Sequence, residues 1–379
     1  MRVLPRTVYV AAVVAVLSAG LGACSSAKTP EGAVGTTPGS SAQPVAAVSR
    51  DVSFVVGGTT THGTLDIPAH QPGQRLAAAL LLAGSGPTDR NGNNVAAGVT
   101  PYTLQLIAGE LARMGIMSLR FDKYFTGRTG AGAYAKDPGR IDLDAFIRQA
   151  VAAYHVLGAQ PETRPEALLI AGHSEGGLCA ARRRATASAA APAGIALLEP
   201  MAEPLLSTIE LQATAELSAA VAAGTLDPAV ATTNASGVRH AIGEFRAGRP
   251  VDTSRLLPGM VRRLRPGLLV AQNARYVRQG DAVHPMAAAA KVAPGTRVLV
   301  TAGTRDSNVP VSAIKLLAVV LAGVGTTGPG LQVLPGIDHF LHEAGAPRNE
   351  PALAPAAVAA LTEWARPYAA YAPYATYGA

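Results

Sequence analysis

The chain has 379 residues, of which 49% are hydrophobic and 4% aromatic, with a formal net charge of +7. That is core enough for one large domain or two modest ones, and a modest charge with no basic, aromatic-interleaved motif does not argue for nucleic-acid binding. Lysine occurs only at Lys28, Lys123, Lys136, Lys291 and Lys315; the arginine, alanine, glycine and proline excess reads as GC-rich codon usage and carries nothing about partners.

Residues 1–23 read as an export signal rather than fold. Met1-Arg2-Val3-Leu4-Pro5-Arg6 is a basic n-region, Thr7 to Ala19 is mostly apolar, and small residues follow. Leu21-Gly22-Ala23-Cys24 then resembles the lipobox of bacterial lipoproteins, in which the preceding segment is removed and the cysteine lipid-modified. The resemblance makes Cys24 the expected lipidation site and places the protein on the extracytoplasmic face of the cell membrane. The alternative is an ordinary secretory signal, or an uncleaved anchor, with a chance cysteine. With Cys24 lipidated, Cys179 has no disulfide partner despite export and is expected as a small buried apolar group. Removing Arg2 and Arg6 leaves +5 on the mature side chains. Residues 24–48, mostly Ser, Ala, Gly, Thr and Pro, predict a flexible tether, about 25–30 Å in reach.

From Asp51 the pattern changes. Val52, Phe54 and Val56 alternate, Gly57-Gly58 makes a turn, and Thr64 to Ile67 extends, which predicts a hairpin. Leu76 to Ala83 is continuous apolar sequence and reads as a central strand. Pro101 to Met114 has helical spacing at Leu104, Ile107, Ala108 and Leu111, and Gly115 ends it. Strands follow at Ile116–Phe121, Ala167–Ala171, Gly194–Leu198, Arg297–Thr301 and Leu331–Leu334. Helices are expected at Ile141–Leu157, Gly177–Ala190, Val311–Val324 and Pro355–Ala365, the last with proline in its first turn. This alternation predicts an α/β fold with a mostly parallel central sheet and helices on both faces. It breaks between Glu199 and Met286. The expected organisation is therefore a first core part over 49–199, a helical cap over 200–290, a second core part over 291–367 and a Tyr-rich tail over 368–379.

The most informative stretch is Gly172-His173-Ser174-Glu175-Gly176, a G-x-S-x-G between a strand pattern and a helix pattern. Such a turn pushes the serine hydroxyl out at a sheet end and aims helix N-terminal N–H groups at the same point. Gly172 and Gly176 are expected where a side chain would collide across the turn. Serine is a weak nucleophile that needs a neutral imidazole, itself oriented by a carboxylate. In this arrangement chain order runs Ser, acid, His. Of eight histidines, His339 and His342 follow the last strand, and His339, in the loop Pro335 to Phe340, is the expected base. His173 points the wrong way for a base and is expected to pack near the elbow. Asp306, just past the strand Arg297–Thr301, is the expected acid; Glu199 and Asp338 are its rivals. The oxyanion donors are expected to be the N–H of Glu175 and, from the glycine-containing loop after Ala83, the N–H of Ser85.

Gly84-Ser85-Gly86-Pro87-Thr88-Asp89-Arg90-Asn91-Gly92, Arg120-Phe121-Asp122-Lys123, the serine elbow, Gly303 with Asp306, and His339 together resemble the α/β-hydrolase superfamily, over roughly Val48 to Tyr368. Within it the similarity is to bacterial esterases of the serine-aminopeptidase-like and dienelactone-hydrolase-like branches. One departure stands out: where the family often has Arg-Gly-x-Gly after Asp-Lys, this chain has Tyr124-Phe125-Thr126-Gly127, so the acyl pocket is expected to differ. The resemblance implies a membrane-tethered serine carboxylesterase acting on a small-molecule or lipid acyl ester. The alternatives are an acyltransferase on cell-envelope lipids with the same triad, and a non-catalytic lipid-binding lipoprotein. No cofactor is implied. His339-Phe340-Leu341-His342-Glu343 fails the H-x-x-E-H metal motif by order, and no Gly-rich phosphate loop with lysine occurs.

Residues 239–280 carry nine arginines against Glu244 and Asp252. A solvated helical face is the simpler reading and attraction to an anionic lipid surface the sharper one. The basic cap argues against an aminopeptidase, which needs carboxylates for a substrate ammonium. Arg182-Arg183-Arg184 reads as the solvent end of the elbow helix. Tyr368, Tyr371, Tyr374 and Tyr377 recur at every third position, an aromatic stripe if the tail is polyproline II; disorder is the alternative.

Overall fold

The computed structural model describes residues 43–182, 191–347 and 351–370. Cys24, the signal segment and most of the tether lie outside the described residues, as do Arg183, Arg184, Tyr371, Tyr374 and Tyr377. The domain begins earlier than the alternation from Asp51 suggests. Val45 exchanges two backbone hydrogen bonds with His70, at 2.8 and 3.1 Å, which ties the last residues of the expected tether down.

Strands β1 (Val48–Val56) and β2 (Thr59–Ile67) form an antiparallel hairpin. Its turn residues Gly57 and Gly58 both have positive φ, 54° and 76°, as a two-residue turn matched to strand twist requires. The chain continues through β3 (Leu76–Leu82), α1 (Thr103–Arg113), β4 (Met117–Phe121), α2 (Leu143–Gly158), β5 (Thr163–His173), α3 (Glu175–Arg182) and β6 (Gly194–Leu198). Five helices follow: α4 (Leu205–Ala222), α5 (Pro228–Arg246), α6 (Pro258–Leu264), α7 (Ala274–Asp281) and α8 (Pro285–Ala289). Then come β7 (Arg297–Gly303), α9 (Val311–Gly323), β8 (Thr327–Leu334) and α10 (Pro355–Ala365). The sheet order is β1-β2-β4-β3-β5-β6-β7-β8, antiparallel at β1–β2 and β2–β4 and parallel elsewhere.

Strand β3 shows why its sequence is continuously apolar. Ala78, Leu80 and Leu82 join one core cluster, with residues of α2, α3 and α9, while Ala77, Ala79 and Leu81 join the other, with α1 and α10. Both faces are covered, so no polar alternation survives. Strands β4 and β5 flank β3 on opposite sides, so the loops leaving β3 and β5 diverge and open a crevice at their carboxyl ends, the place where open α/β sheets bind ligands.

Helices α4 to α7 share their own cluster, built on Leu206, Val238, Phe245, Leu264 and Val277. Helix α8 instead packs Ala288 and Ala289 into the core cluster of the sheet, so the cap's own packing ends ahead of residue 290. Part of the basic segment is structural: Arg246 makes two bonds to Asp281 (2.8 and 2.9 Å), Arg263 pairs with Glu216, Arg275 with Asp142, and Arg278 lies over the Phe245 ring. Strand β8 starts at Thr327, four residues before the expected Leu331, because Gly328, Pro329 and Gly330 are accommodated in an edge strand. Cys179 is half-buried against the core rather than enclosed by it. The first tyrosine of the tail is part of the domain: Tyr368 donates to the Ala193 carbonyl at 2.8 Å. Among the described residues no helix is long and apolar enough to cross a membrane.

Candidate active site

Ser174 sits between the end of β5 and the start of α3 with φ of +54°, a left-handed conformation that costs a non-glycine residue energy. The turn is pinned by Ser174 N–H donating to Leu198 O (2.9 Å), and by Gly177 and Met201 N–H donating to Ser174 O (3.0 and 3.2 Å). The flanking glycines are obligatory. A Cβ on Gly172 would lie 2.2 Å from Gly176 O, and one on Gly176 would lie 2.3 Å from Leu82 O.

Asp306 and His339 meet, brought there by the loops after β7 and β8. Arg305 N–H donates to Ile337 O at 2.9 Å and Gly336 N–H to Thr304 Oγ1 at 2.9 Å, so the two loops hold each other. Asp306 Oδ1 accepts from Asn308 and Val309 N–H (2.6 and 2.9 Å), leaving Oδ2 to accept from His339 Nδ1 at 2.8 Å. Burial alone would raise the Asp306 carboxyl. The imidazole bond and charge, with the two N–H donors, outweigh it and hold the group below the usual carboxylate range. A carboxylate on Nδ1 fixes that nitrogen as the proton carrier and leaves Nε2 able to accept a proton.

His173 is a support. Its Nε2 donates to the His339 carbonyl at 2.7 Å, and the two rings are 4.9 Å apart. Burial, then the neighbouring imidazole, push it down to about 3, so it stays neutral. Asp338 is spent inside its own loop, accepting from Phe340 and His342 N–H (2.8 and 3.0 Å), and His342 sits beside it rather than at Asp306.

The other rival acid, Glu199, stands next to Asp306. It follows β6 with φ of +45°, is wholly buried, and accepts from Gly303 N–H at 2.7 Å. Burial, reinforced by Asp306, pushes its carboxyl up to about 8, so it is neutral at pH 7. The folded state therefore keeps a proton that the unfolded state, with a pKa of 4.5, has already lost. This contribution to stability is complete below pH 4.5 and is lost as pH rises through 8. Glu199→Gln is thus expected to be more stable than the parent at pH 8, by at most about 5 kcal/mol, with the gap closing near pH 5. Urea unfolding at the two pH values measures it.

The loop after β3 lies against the serine: a Cβ on Gly84 would be 3.2 Å from Ser174 Cβ. Ser85 O accepts from Thr88 Oγ1 and Gly86 O from Thr88 N–H, both at 2.8 Å, which folds the loop back on itself. Among the described residues, no protein acceptor takes the N–H of Ser85 or Glu175. The same loop is anchored by Arg90, paired with the buried Asp122 at 2.8 Å; Asp122 also accepts from Arg90 and Arg128 N–H. Gly127 is forced by this carboxylate, which a Cβ would approach to 2.2 Å.

Two further residues are not evident from sequence. Lys123, buried, donates from Nζ to the Gly84 carbonyl. Tyr276 of α7 donates its hydroxyl to the Glu175 carboxylate, joining cap to elbow. Lys123 was visible only as part of a shared run, and Tyr276 only as one of two aromatics in the basic segment. Beside them a cavity of 470 Å³ is lined by Gly86, Pro87, Tyr124, Phe125, Phe146 and Tyr276 among others, with ring pairs Tyr124–Phe146 and Phe146–Tyr276 edge to face. Of the departing segment Tyr124–Gly127, Tyr124 and Phe125 line this cavity.

No protein-family model matches the chain. No curated protein matches it either. Solved structures do. The α/β hydrolase GrgF of Penicillium sp. sh18 superposes with a TM-score of 0.52 at 16% identity, over 86% of this chain and 100% of that one. Est1E of Butyrivibrio proteoclasticus, solved with ferulic acid, gives 0.51 at 15% identity, over 84% and 98%. The Pyrococcus furiosus esterase Pf2001 gives 0.50 at 14% identity, over 85% and 92%. The fold is that of the α/β hydrolases.

Proposed function

We propose that this chain is a serine hydrolase that cleaves carboxylic esters through an acyl-enzyme on Ser174. The observation that carries the reading is the His339–Asp306 bond, 2.8 Å long, assembled from two separate loops at the sheet end that also presents Ser174. Ser174 Oγ attacks the ester carbonyl and passes its proton to His339 Nε2, while Asp306 stabilises the imidazolium. The N–H groups of Ser85 and Glu175 receive the oxyanion, each donor contributing about 2.7–4 kcal/mol to transition-state stabilisation. His339 then protonates the departing alcohol, and water, activated the same way, releases the acid. The aromatic walls of the 470 Å³ cavity favour an apolar or aromatic substituent on the ester.

A fluorophosphonate probe is expected to label the peptide holding Ser174, and a short-chain p-nitrophenyl ester to be hydrolysed by the parent and not by Ser174→Ala. Label on any other peptide overturns the assignment. Product analysis with an added acceptor alcohol separates hydrolysis from acyl transfer to lipids. We further propose that Cys24 carries lipid and tethers the domain to the membrane. The N-terminal basic, apolar and lipobox-like sequence supports this, and Cys24→Ala is expected to move the protein out of the membrane fraction.

A further inference from the structure

Gly84 C=O and Ser85 N–H belong to one peptide unit, and the ammonium of Lys123 donates to that carbonyl oxygen. We infer that Lys123 is a positioning residue for the oxyanion site, which polarises the Gly84–Ser85 amide so that its N–H binds developing negative charge more strongly. The inference rests on the proposed role of Ser85.

The chemistry is that of any amide. A cation on the carbonyl oxygen draws density from nitrogen, making the N–H a better donor; hydrogen bonds in series strengthen one another, and charge-assisted ones do so most. The peptide lies next to the nucleophile, since a Cβ on Gly84 would be 3.2 Å from Ser174 Cβ. A neutral side chain could hold this loop, and Arg90–Asp122 and Thr88 already do so. What lysine adds is charge, and burying an ammonium is costly unless something uses it. Two neighbours favour its charged form: the Phe146 ring, with Nζ 5.5 Å from its centroid, and the Glu175 carboxylate. Burial lowers the Lys123 pKa and Glu175 only partly restores it. Glu175 carries the other proposed donor N–H, and its carboxylate accepts from Tyr276.

The test uses the full-length protein and two substitutions. Lys123→Met keeps the chain length without a donor; Lys123→Gln keeps a neutral donor. Steady-state hydrolysis of a p-nitrophenyl ester is compared with inhibition by a trifluoromethyl ketone, which adds to the serine as an oxyanion. The expected order of kcat is parent, then Gln, then Met, with Met reduced by about 10–100-fold and KM changed by less than about threefold. Ketone affinity is expected to fall by the same factor as kcat/KM. A loop-collapse role would instead raise KM and weaken ketone and ground-state ligands alike. If kcat of both variants stays within threefold of the parent, or if ketone affinity does not track kcat/KM, the inference is overturned while the esterase reading stands. If the parent shows no Ser174-dependent hydrolysis, both fall.

Discussion

Ser174→Ala is expected to lower kcat for a short-chain ester by about 10⁵–10⁶, some 7–8 kcal/mol of barrier. Residual catalysis would come from the two N–H donors and from binding. Because the three side chains act as one relay, adding His339→Ala is expected to cost little more, and a sum of separate penalties would contradict the mechanism. Stability should move the other way from activity. At φ of +54°, Ser174 sits in a backbone well that only glycine occupies without strain. Ser174→Ala leaves that strain in place, whereas Ser174→Gly is expected to relieve it and stabilise the fold by about 1 kcal/mol. Kinetics on the parent, Ser174→Ala and the variant with His339→Ala added, and thermal unfolding of the parent, Ser174→Ala and Ser174→Gly, check both statements. An inactive but more stable glycine variant is the signature of a position where strain serves chemistry.

What could be seen in advance of the fold is what lies close together in the chain. The elbow is legible because its demands are contiguous in the chain: the strand run, Gly172 and Gly176 clearing the turn, and the helix that begins at Glu175. Asp306 and His339 are legible because each immediately follows a strand on the same rim. Lys123 and Tyr276 were not, since their partners, Gly84 and Glu175, are 39 and 101 residues away and no local pattern encodes the contact. Glu199 was seen only as a competitor for Asp306, because sequence distinguishes neither a neutral carboxyl from a charged one nor a neighbour from a substitute. In β8 the turn-forming Gly328-Pro329-Gly330 concealed the strand's first half, which an edge position tolerates. The basic segment read as a solvated face because Asp142, Glu216 and Asp281, which pair with Arg275, Arg263 and Arg246, all lie outside it.

Asp306→Asn is expected to reduce kcat by about 10⁴, and Glu199→Gln by less than tenfold. Both carboxyls are buried at the ends of adjacent strands, yet only one can carry charge, because two adjacent carboxylates repel in a medium that screens poorly. Asp306 takes the charge: it has the imidazole and two N–H donors, whereas Glu199 has Gly303 N–H and an Oε1 with no hydrogen-bond partner among the described residues. An asparagine at 306 would turn either an amide N–H₂ or a less basic oxygen toward Nδ1, and the first forces the wrong tautomer. Removing the Asp306 charge also removes one reason for Glu199 to stay protonated, so Glu199 should ionise at lower pH in Asp306→Asn. If Glu199 then reaches the imidazole, activity of Asp306→Asn will recover partly at high pH, and the double variant Asp306→Asn/Glu199→Gln will not. Full activity in Asp306→Asn, with the 10⁴ loss falling on Glu199→Gln, would exchange the two roles. It would also require His339 to turn away from the Asp306 oxygen it now faces at 2.8 Å.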